Sequence, residues 1–361
     1  MTPDEQRQAA LREQEAARTA FELGKEVSGW RESRRKVSLL RSALSEDFVN
    51  RTEAINSLLA AIISRAGCVL LGPPGTAKSL LVRRIAERCD LRIGTDDANY
   101  FEHLLTAHTM PEEIFGPTDI GLLLQQPPVV QRQTVARLPH AELAFLDEVF
   151  RGGSHIQNTL LTILNERKFH NGRTIEDVPL VSVIGAANCP PQGEESKAFF
   201  DRFPVRIWVD SVLDASESEC VGRGIRLIAS DSQSASRNGN GASDRPSMGD
   251  FRKLWSVLRL KLSGEMRAAG GGGMSARIQE FTRNFKRYQP AGQLSDRSYV
   301  QLWYFAGALD MIANRDPDRP FAEGGRGHFT CFRYVAPNPQ ALVAIKHSLD
   351  TQEQRLNAAG A

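Results

Sequence analysis

The sequence lacks a surplus of charge of either sign. Its 361 residues include 45 lysines and arginines against 43 aspartates and glutamates, which gives a formal net charge of +2. A near-neutral chain has no broad positive field with which to attract nucleic acid. The composition therefore argues against nucleic acid as a partner.

Cysteines and long hydrophobic runs are also scarce. The five cysteines are scattered without a CxxC pair, so neither a disulfide framework nor a zinc site is expected, and a reducing compartment fits. The longest apolar runs, such as residues 58–63, are too short to cross a bilayer. Residues 1–15 are polar and charged, unlike a secretory signal. These absences predict a cytoplasmic protein without a membrane span.

Residues 68–81 carry the most informative pattern in the chain. An apolar run at 68–71 predicts a buried strand, a turn rich in glycine and proline follows, and Lys78-Ser79 opens a helical pattern. This is the context of a phosphate-binding loop, whose backbone N–H groups converge on an anion. The candidate nucleotide-binding residues are Gly72, Pro73, Pro74, Gly75, Thr76, Ala77, Lys78, Ser79 and Leu80.

Two side chains of this loop have specific predicted roles. Lys78 would neutralise the β- and γ-phosphates, and the Ser79 hydroxyl would be a ligand of Mg²⁺. ATP and Mg²⁺ are therefore the expected cofactors. One position departs from the usual pattern, because Ala77 stands where the motif has its second glycine.

A second motif follows at residues 143–148, where four apolar residues precede Asp147 and Glu148. A buried parallel strand would deliver both carboxylates to the sheet edge where ligands bind. Asp147 would hold Mg²⁺ through water, and Glu148 would orient or deprotonate the attacking water. The apolar run at 180–187 ends at Asn188, which either positions that water or starts the turn before Pro190; the spacing leaves both open.

These motifs together resemble the MoxR group of AAA+ ATPases, and within it the RavA-like branch. The likeness covers residues from about 37 to 315. It rests on Gly-Pro-Pro-Gly-Thr-Ala-Lys-Ser at 72–79, on longer matches at 109–117, 146–149 and 158–167, and on short ones at 170–172, 201–202 and 295–297.

The resemblance implies an α/β fold, in which an AAA+ P-loop αβα ATPase domain with a parallel sheet precedes a small all-α lid domain. We accordingly divide the chain into a charged N-terminal helical arm at 1–36, the ATPase domain at 37–210 and a lid at 211–361 with flexible Gly/Ser-rich insertions. The arm is either a solvated helix or a docking segment. The resemblance also implies an insert near 116–140, within which residues 129–135 look like one arm of a hairpin.

The resemblance also assigns roles to single residues. Asn188 matches the sensor that orients water, Arg202 the arginine finger given to a neighbouring subunit, and Arg297 the lid arginine that senses the γ-phosphate. For Arg202, a plain salt bridge is the alternative.

Members of this family form homo-oligomeric rings, usually hexamers, and act as chaperone-like remodellers, typically with a partner that carries a von Willebrand A (vWA) domain. Little sequence remains after the lid, so we expect RavA's C-terminal partner-recruiting module to be absent. The main alternative function is a nucleic-acid-stimulated motor of the helicase-related branch, which the near-neutral charge disfavours. A scaffold that binds ATP without turnover is disfavoured by the complete set Lys78, Asp147, Glu148 and Arg202.

Overall fold

A five-stranded parallel sheet forms the centre of the protein. The computed structural model describes residues 28–48, 50–191, 196–209, 244–270, 276–292, 294–314 and 327–359. The strands of this sheet are β1 (Cys68–Leu71), β2 (Tyr100–Leu104), β3 (Leu143–Asp147), β6 (Ser182–Ala187) and β7 (Val205–Trp208), while β4 (Lys168–Asn171) and β5 (Thr174–Asp177) form a separate antiparallel hairpin. The sheet order is β2-β3-β6-β1-β7, which places β1 between β6 and β7.

Helices surround the sheet and continue beyond it. They are α1 (Trp30–Asp47), α2 (Thr52–Ser64), α3 (Lys78–Arg88), α4 (Pro111–Phe115), α5 (Ile120–Leu123), α6 (Ser154–Glu166), α7 (Lys197–Phe200), α8 (Met248–Gly270), α9 (Ala276–Gly292), α10 (Asp296–Ala313), α11 (Gly327–Thr330) and α12 (Pro339–Ala359). Each described helix is too short or too polar to cross a lipid bilayer.

The alternation of side chains along β1 divides the core into two parts. Cys68 and Leu70 pack with α2 and α3, whereas Val69 and Leu71 pack with α6 and α7 on the other face. A parallel sheet covered on both faces needs strands that are apolar throughout, and all four residues of β1 are buried. The predicted α/β class, with a parallel sheet and a helical C-terminal region, is confirmed.

The C-terminal helices contact the ATPase domain through both core packing and hydrogen bonds. Buried residues of α8, α9 and α10 belong to the same apolar cluster as α1 and α2. From β7, the buried Arg206 donates to the Val335 carbonyl at 2.9 Å, and the Trp208 indole N–H donates to the Ala336 carbonyl at 3.1 Å. The helical region therefore rests directly on the domain that carries the phosphate-binding loop.

One of the predicted domain boundaries, between residues 36 and 37, lies within the described residues. Helix α1 is continuous from Trp30 to Asp47, so the boundary predicted at residue 36 falls inside a helix. Val37, Leu40 and Leu44 recur at helical spacing and are buried against the core. Residues 1–27 of the predicted arm and residues 210–243, most of which belong to the predicted lid, lie outside the described residues.

The hairpin arm expected at residues 129–135 is present as a short antiparallel pairing and not as a regular strand. Thr118 and Arg132 form an isolated antiparallel bridge, flanked by hydrogen bonds from the Asp119 N–H to the Gln131 carbonyl at 2.7 Å and from the Gln133 N–H to the Pro117 carbonyl at 2.9 Å. The buried side chain of Asn171 accepts a hydrogen bond from the Arg132 N–H at 2.6 Å and donates to its carbonyl at 3.0 Å. The Asn171 side chain thus takes the backbone groups of Arg132, whereas its neighbours Gln131 and Gln133 pair with residues 117–119. The regular two-stranded hairpin is β4–β5.

Candidate active site

The loop after β1 has a backbone that its glycines make possible. A Cβ on Gly72 would lie 2.2 Å from the Val209 carbonyl oxygen, so no other residue fits there. Gly75 has a φ of +79°, a left-handed conformation that is unstrained only for glycine. Ala77, which departs from the usual motif, also has a positive φ of 62°. An alanine in this region costs about 1–2 kcal/mol, so the loop holds Ala77 in a strained conformation.

Lys78 lies at the start of α3 with its ammonium group inside the loop. The side chain is 7% exposed, and Nζ donates to the carbonyl oxygens of Gly72 at 2.7 Å and Pro73 at 2.9 Å. Burial lowers the pKa of Lys78, and the negative charges of Asp147 and Glu148 oppose that shift. The ammonium group is therefore held inside the loop, against two of its carbonyl oxygens.

Ser79 and Asp147 meet across the end of the sheet. The Ser79 hydroxyl donates to Asp147 Oδ2 at 2.8 Å, and the Glu148 N–H donates to Asp147 Oδ1 at 2.9 Å. A hydroxyl and a carboxylate are oxygen donors of the kind that Mg²⁺ prefers. Together with the basic, N–H-lined loop they fit a magnesium nucleotide, with Ser79 and Asp147 as the residues that would hold the metal.

Asn188 joins the two motifs. Its Nδ2 donates to Glu148 Oε1 at 2.6 Å, and its Oδ1 accepts a hydrogen bond from Lys78 Nζ at 3.3 Å. Glu148 itself has a left-handed backbone, with a φ of 49°. The structure thus brings Lys78, Ser79, Asp147, Glu148 and Asn188 into one hydrogen-bonded set at the carboxyl edge of the sheet, although the spacing of Asn188 alone left its role open.

Arg202 lies at the opposite edge of the sheet. A Cβ on Gly67, the residue just before β1, would be 1.8 Å from the Arg202 carbonyl oxygen. Lys78 follows the other end of β1, whose four residues span about 13 Å. The guanidinium forms an ion pair with Asp201 at 2.9 Å, so the local salt bridge weighed above is present. Its Nε is buried and has no hydrogen-bond partner within the described ranges.

Arg297 lies with Arg202 and apart from Lys78. Its Nη1 donates to Asn165 Oδ1, near the C-terminal end of α6. Helix α6 begins at Ser154, six residues after Glu148, and its 13 residues carry the chain about 20 Å further. Two of the predicted catalytic arginines therefore share the edge that faces away from this chain's own loop.

Two arginines beside the site escaped the sequence reasoning. Arg151 Nε lies 3.3 Å from Glu148 Oε2, and the buried Arg51 donates from Nη2 to the Thr76 carbonyl at 3.5 Å. The only available signal was their position, Arg151 three residues after Glu148 and Arg51 between two predicted helices. Phe48, which directly follows α1, is 5% exposed and belongs to the core.

Comparison with known proteins places this geometry in a family. Residues 35–240, more than half of the chain, match the MoxR domain in MoxR-vWA-beta-propeller ternary systems. Two uncharacterised proteins of Methanocaldococcus jannaschii are each 46% identical to this chain, over 171 and 167 residues. Those alignments cover 47% and 46% of this chain and 43% of each relative, so the chain spans less than half the length of the relatives it matches.

More distant similarities agree with the fold. A structural protein of the Acidianus two-tailed virus is 28% identical over 173 residues, which are 47% of this chain and 27% of that protein. The crystal structure of a candidate ATPase from Cytophaga hutchinsonii has a TM-score of 0.58 and 18% identity, and the match covers 93% of this chain and 97% of that one. The family match and this shared fold lead to one conclusion: the chain belongs to the MoxR family of AAA+ ATPases, in the form found in MoxR-vWA-beta-propeller systems.

Proposed function

We propose that this protein hydrolyses ATP to ADP and phosphate with Mg²⁺ as part of a homo-oligomeric ring, and uses the turnover to remodel a protein complex. The observation that carries the proposal is the hydrogen-bonded set of Lys78, Ser79, Asp147, Glu148 and Asn188 at one sheet edge. Phosphoryl transfer needs positioning and charge stabilisation more than covalent chemistry, and this set supplies both.

The side chains divide the chemistry between them. Lys78 places a positive charge against the β- and γ-phosphates, and Mg²⁺ held by Ser79 and Asp147 would supply further charge neutralisation. Glu148 accepts the proton of the attacking water or orients it. Asn188, which donates to Glu148 Oε1, holds that carboxylate in place and can present its amide to the same water.

The proposed ring would complete an active site that lacks its arginines within one chain. Arg202 and Arg297 are predicted to act on the γ-phosphate but lie at the edge away from Lys78. A head-to-tail interface that closes into a ring would bring that edge to the loop of the next subunit. The Arg202 side chain is 22% exposed and forms one ion pair, which leaves part of its charge open to a neighbour and supports this arrangement. We propose a hexamer, the usual family assembly.

The partner class comes from the family. Its members occur in ternary systems with vWA and β-propeller proteins, so we propose a vWA-domain protein as the direct partner. Placement in the RavA-like branch rests on the motif likeness alone and stays a proposal. A cytoplasmic location is likewise proposed from the composition.

A surface for the target can be proposed from exposed apolar side chains. Ile120, Leu124 and Val130 are 67%, 78% and 59% exposed, and Ile175 of the adjacent β4–β5 hairpin is 59% exposed. The hairpin holds this insert through Asn171. Exposed apolar clusters of this kind mark protein-binding surfaces, and the surface lies apart from the nucleotide site.

One experiment tests the remodelling function. The Glu148→Gln protein is purified from its own cells with ATP and its co-purifying proteins are identified, alongside the same trap carrying Leu124→Ser and Val130→Ser. We expect a vWA-domain protein with the first trap and its loss with the second. A trap that retains no protein, together with ATPase activity that single-stranded DNA stimulates, would instead support the helicase-related motor.

A further inference from the structure

The carboxylate of Asp201 lies at a junction that the catalytic roles above do not use. It accepts three hydrogen bonds from the start of α10: from the Ser295 N–H at 2.8 Å, the Ser295 hydroxyl at 2.6 Å and the Ser298 hydroxyl at 3.0 Å. It also accepts a hydrogen bond from Arg202 Nη1 at 2.9 Å. Asp201 is 9% exposed, so little water competes for these bonds.

These four bonds join two parts of the protein that are far apart in sequence. Arg202 precedes β7 of the ATPase domain, whereas Ser295 and Ser298 begin the lid helix that also carries Arg297. A residue at the start of a helix normally caps it with its own side chain, but no side-chain cap bond is made by Ser295 to its own helix. The Ser295 hydroxyl donates to Asp201 instead, and the negative charge of Asp201 at this end complements the helix dipole.

We propose that Asp201 is a positioning residue that couples the lid to the arginine finger. The orientation of α10 fixes the Asp201 carboxylate through three bonds, and the carboxylate in turn fixes the Arg202 guanidinium. A shift of the lid moves Arg202, and with it the neighbouring subunit's site. This inference rests on the proposed role of Arg202 in a neighbouring site.

The guanidinium has few other restraints. Its Nε has no hydrogen-bond partner in the part of the chain that the structure describes, and the side chain is 22% exposed. Asp201 is thus the contact that decides where the charge of Arg202 lies. A rigid guanidinium matters because the rate benefit of a finger depends on its being in place before the reaction.

A matched control exists elsewhere in the chain. Asp250 also accepts hydrogen bonds at a junction, from the Ser33 hydroxyl at 2.6 Å, the Ser247 N–H at 2.8 Å and the Ser247 hydroxyl at 3.0 Å. It joins α1 to the start of α8, is 8% exposed and has no arginine finger beside it. Losing Asp250 therefore costs similar packing and bonds without touching Arg202.

The test compares Asp201→Asn, Arg202→Ala and Asp250→Asn in the full chain, with Mg-ATP as substrate. We expect Asp201→Asn to lower kcat about 10- to 100-fold, the worth of one charge-assisted hydrogen bond, with KM for ATP changed less than about twofold. Asp250→Asn should lower the melting temperature to a similar degree and leave kcat near wild type. Mixing Asp201→Asn with Lys78→Ala under subunit exchange should restore activity, because the Lys78→Ala subunits donate an intact Asp201–Arg202 pair.

The serines keep the proposal testable if Asp201→Asn fails to fold. Ser295→Ala with Ser298→Ala removes two lid bonds and leaves the Asp201–Arg202 pair intact, so a fall in kcat reports on coupling from the lid. Ser295→Thr combined with Ser298→Ala keeps the hydroxyl at position 295, and it should recover part of the kcat that the double alanine variant loses.

The outcomes separate this inference from the proposed function. If Arg202→Ala loses kcat but Asp201→Asn and the serine variants do not, the coupling is wrong and the finger stands. If Asp201→Asn is inactive and mixing restores Arg202→Ala alone, Asp201 acts within its own subunit and the proposal is overturned. If Arg202→Ala turns over ATP normally, the finger itself is wrong.

Discussion

The two edges of the parallel sheet differ in how their charged groups are paired. At the carboxyl edge, Lys78, Asp147 and Asn188 find partners in one another and in the loop, all within one chain. At the amino edge, Arg202 has one ion pair and a buried Nε without a partner among the described residues, and Arg297 reaches only Asn165. The first edge is ready to bind a nucleotide, whereas the second holds the arginines that we propose to act on a neighbouring subunit.

This difference separates two kinds of catalytic requirement. A triphosphate must be bound tightly in the ground state, and a preformed, buried cradle does that. Charge that develops in the transition state can be stabilised by a group that arrives with a neighbour, so hydrolysis becomes conditional on assembly. The predictions below test the comparison from its strongest point to its weakest.

Removal of Lys78 should have the largest effect. Lys78→Ala takes away the buried ammonium group that holds the phosphates, so we expect nucleotide binding and ATPase activity to be abolished. A fluorescent ATP analogue titrated onto the protein measures this directly. Arg83→Ala is the matched control, since Arg83 lies on the same helix, is 52% exposed and pairs with Glu102; normal binding by Lys78→Ala would remove the basis of the site.

Loss of Arg202 should lower ATPase activity almost as much as loss of Lys78, but a neighbouring subunit with an intact Arg202 should restore it. Arg202→Ala is expected to lower kcat about 10³- to 10⁵-fold with ATP binding retained, because fingers act on transition-state charge. Mixed with Lys78→Ala under conditions where subunits exchange, it should regain intermediate activity, as some interfaces then pair an intact Lys78 with an intact Arg202. Rings that demonstrably mix without regaining activity would place Arg202 outside the shared site.

Glu148→Gln should separate binding from hydrolysis. Glutamine preserves the acceptor for the Asn188 amide but cannot take a proton, so kcat should fall about 10²- to 10⁴-fold while ATP still binds. Glu142→Gln is the control from the other edge, because Glu142 directly precedes β3 and pairs with Arg252 at 2.6 Å. Hydrolysis at the wild-type rate by Glu148→Gln would show that another group activates the water.

The two edges differ in how much local sequence can say about them, for a physical reason. The carboxyl edge depends on local order: a buried strand, a glycine turn and a helix fix Lys78 and Ser79 within a few residues, and a second strand ends at Asp147. The amino edge depends on pairings across long separations, such as Asp201 with Ser295, which no local pattern records. Segment 129–135 shows the same limit, since Arg132 in its middle is bound by Asn171 some 39 residues away, a contact that the local pattern does not record.

Loss of Arg297 should have the smallest effect on kcat. It also tests most directly whether this arginine acts on its own nucleotide or on that of a neighbour. The resemblance makes it a sensor of the γ-phosphate without saying whose, and in the structure it lies near the end of α6, about 20 Å from the start of that helix, which is six residues after Glu148. We expect Arg297→Ala to lower kcat about 10- to 100-fold, the worth of one charge-assisted hydrogen bond. Arg333→Ala, a lid variant whose arginine pairs with Asp350 at 2.8 Å, should leave kcat unchanged.

Mixing then decides between the two edges for Arg297. If it serves a neighbour, Lys78→Ala subunits will donate an intact Arg297 to the intact loops of Arg297→Ala subunits, and activity per intact loop will rise above that of Arg297→Ala alone. If it serves its own loop, each intact loop in the mixture still lacks its arginine, and no rise can occur. The second result would mean that the lid moves Arg297 across to the carboxyl edge during turnover, and the contrast between the edges would then describe only the resting chain.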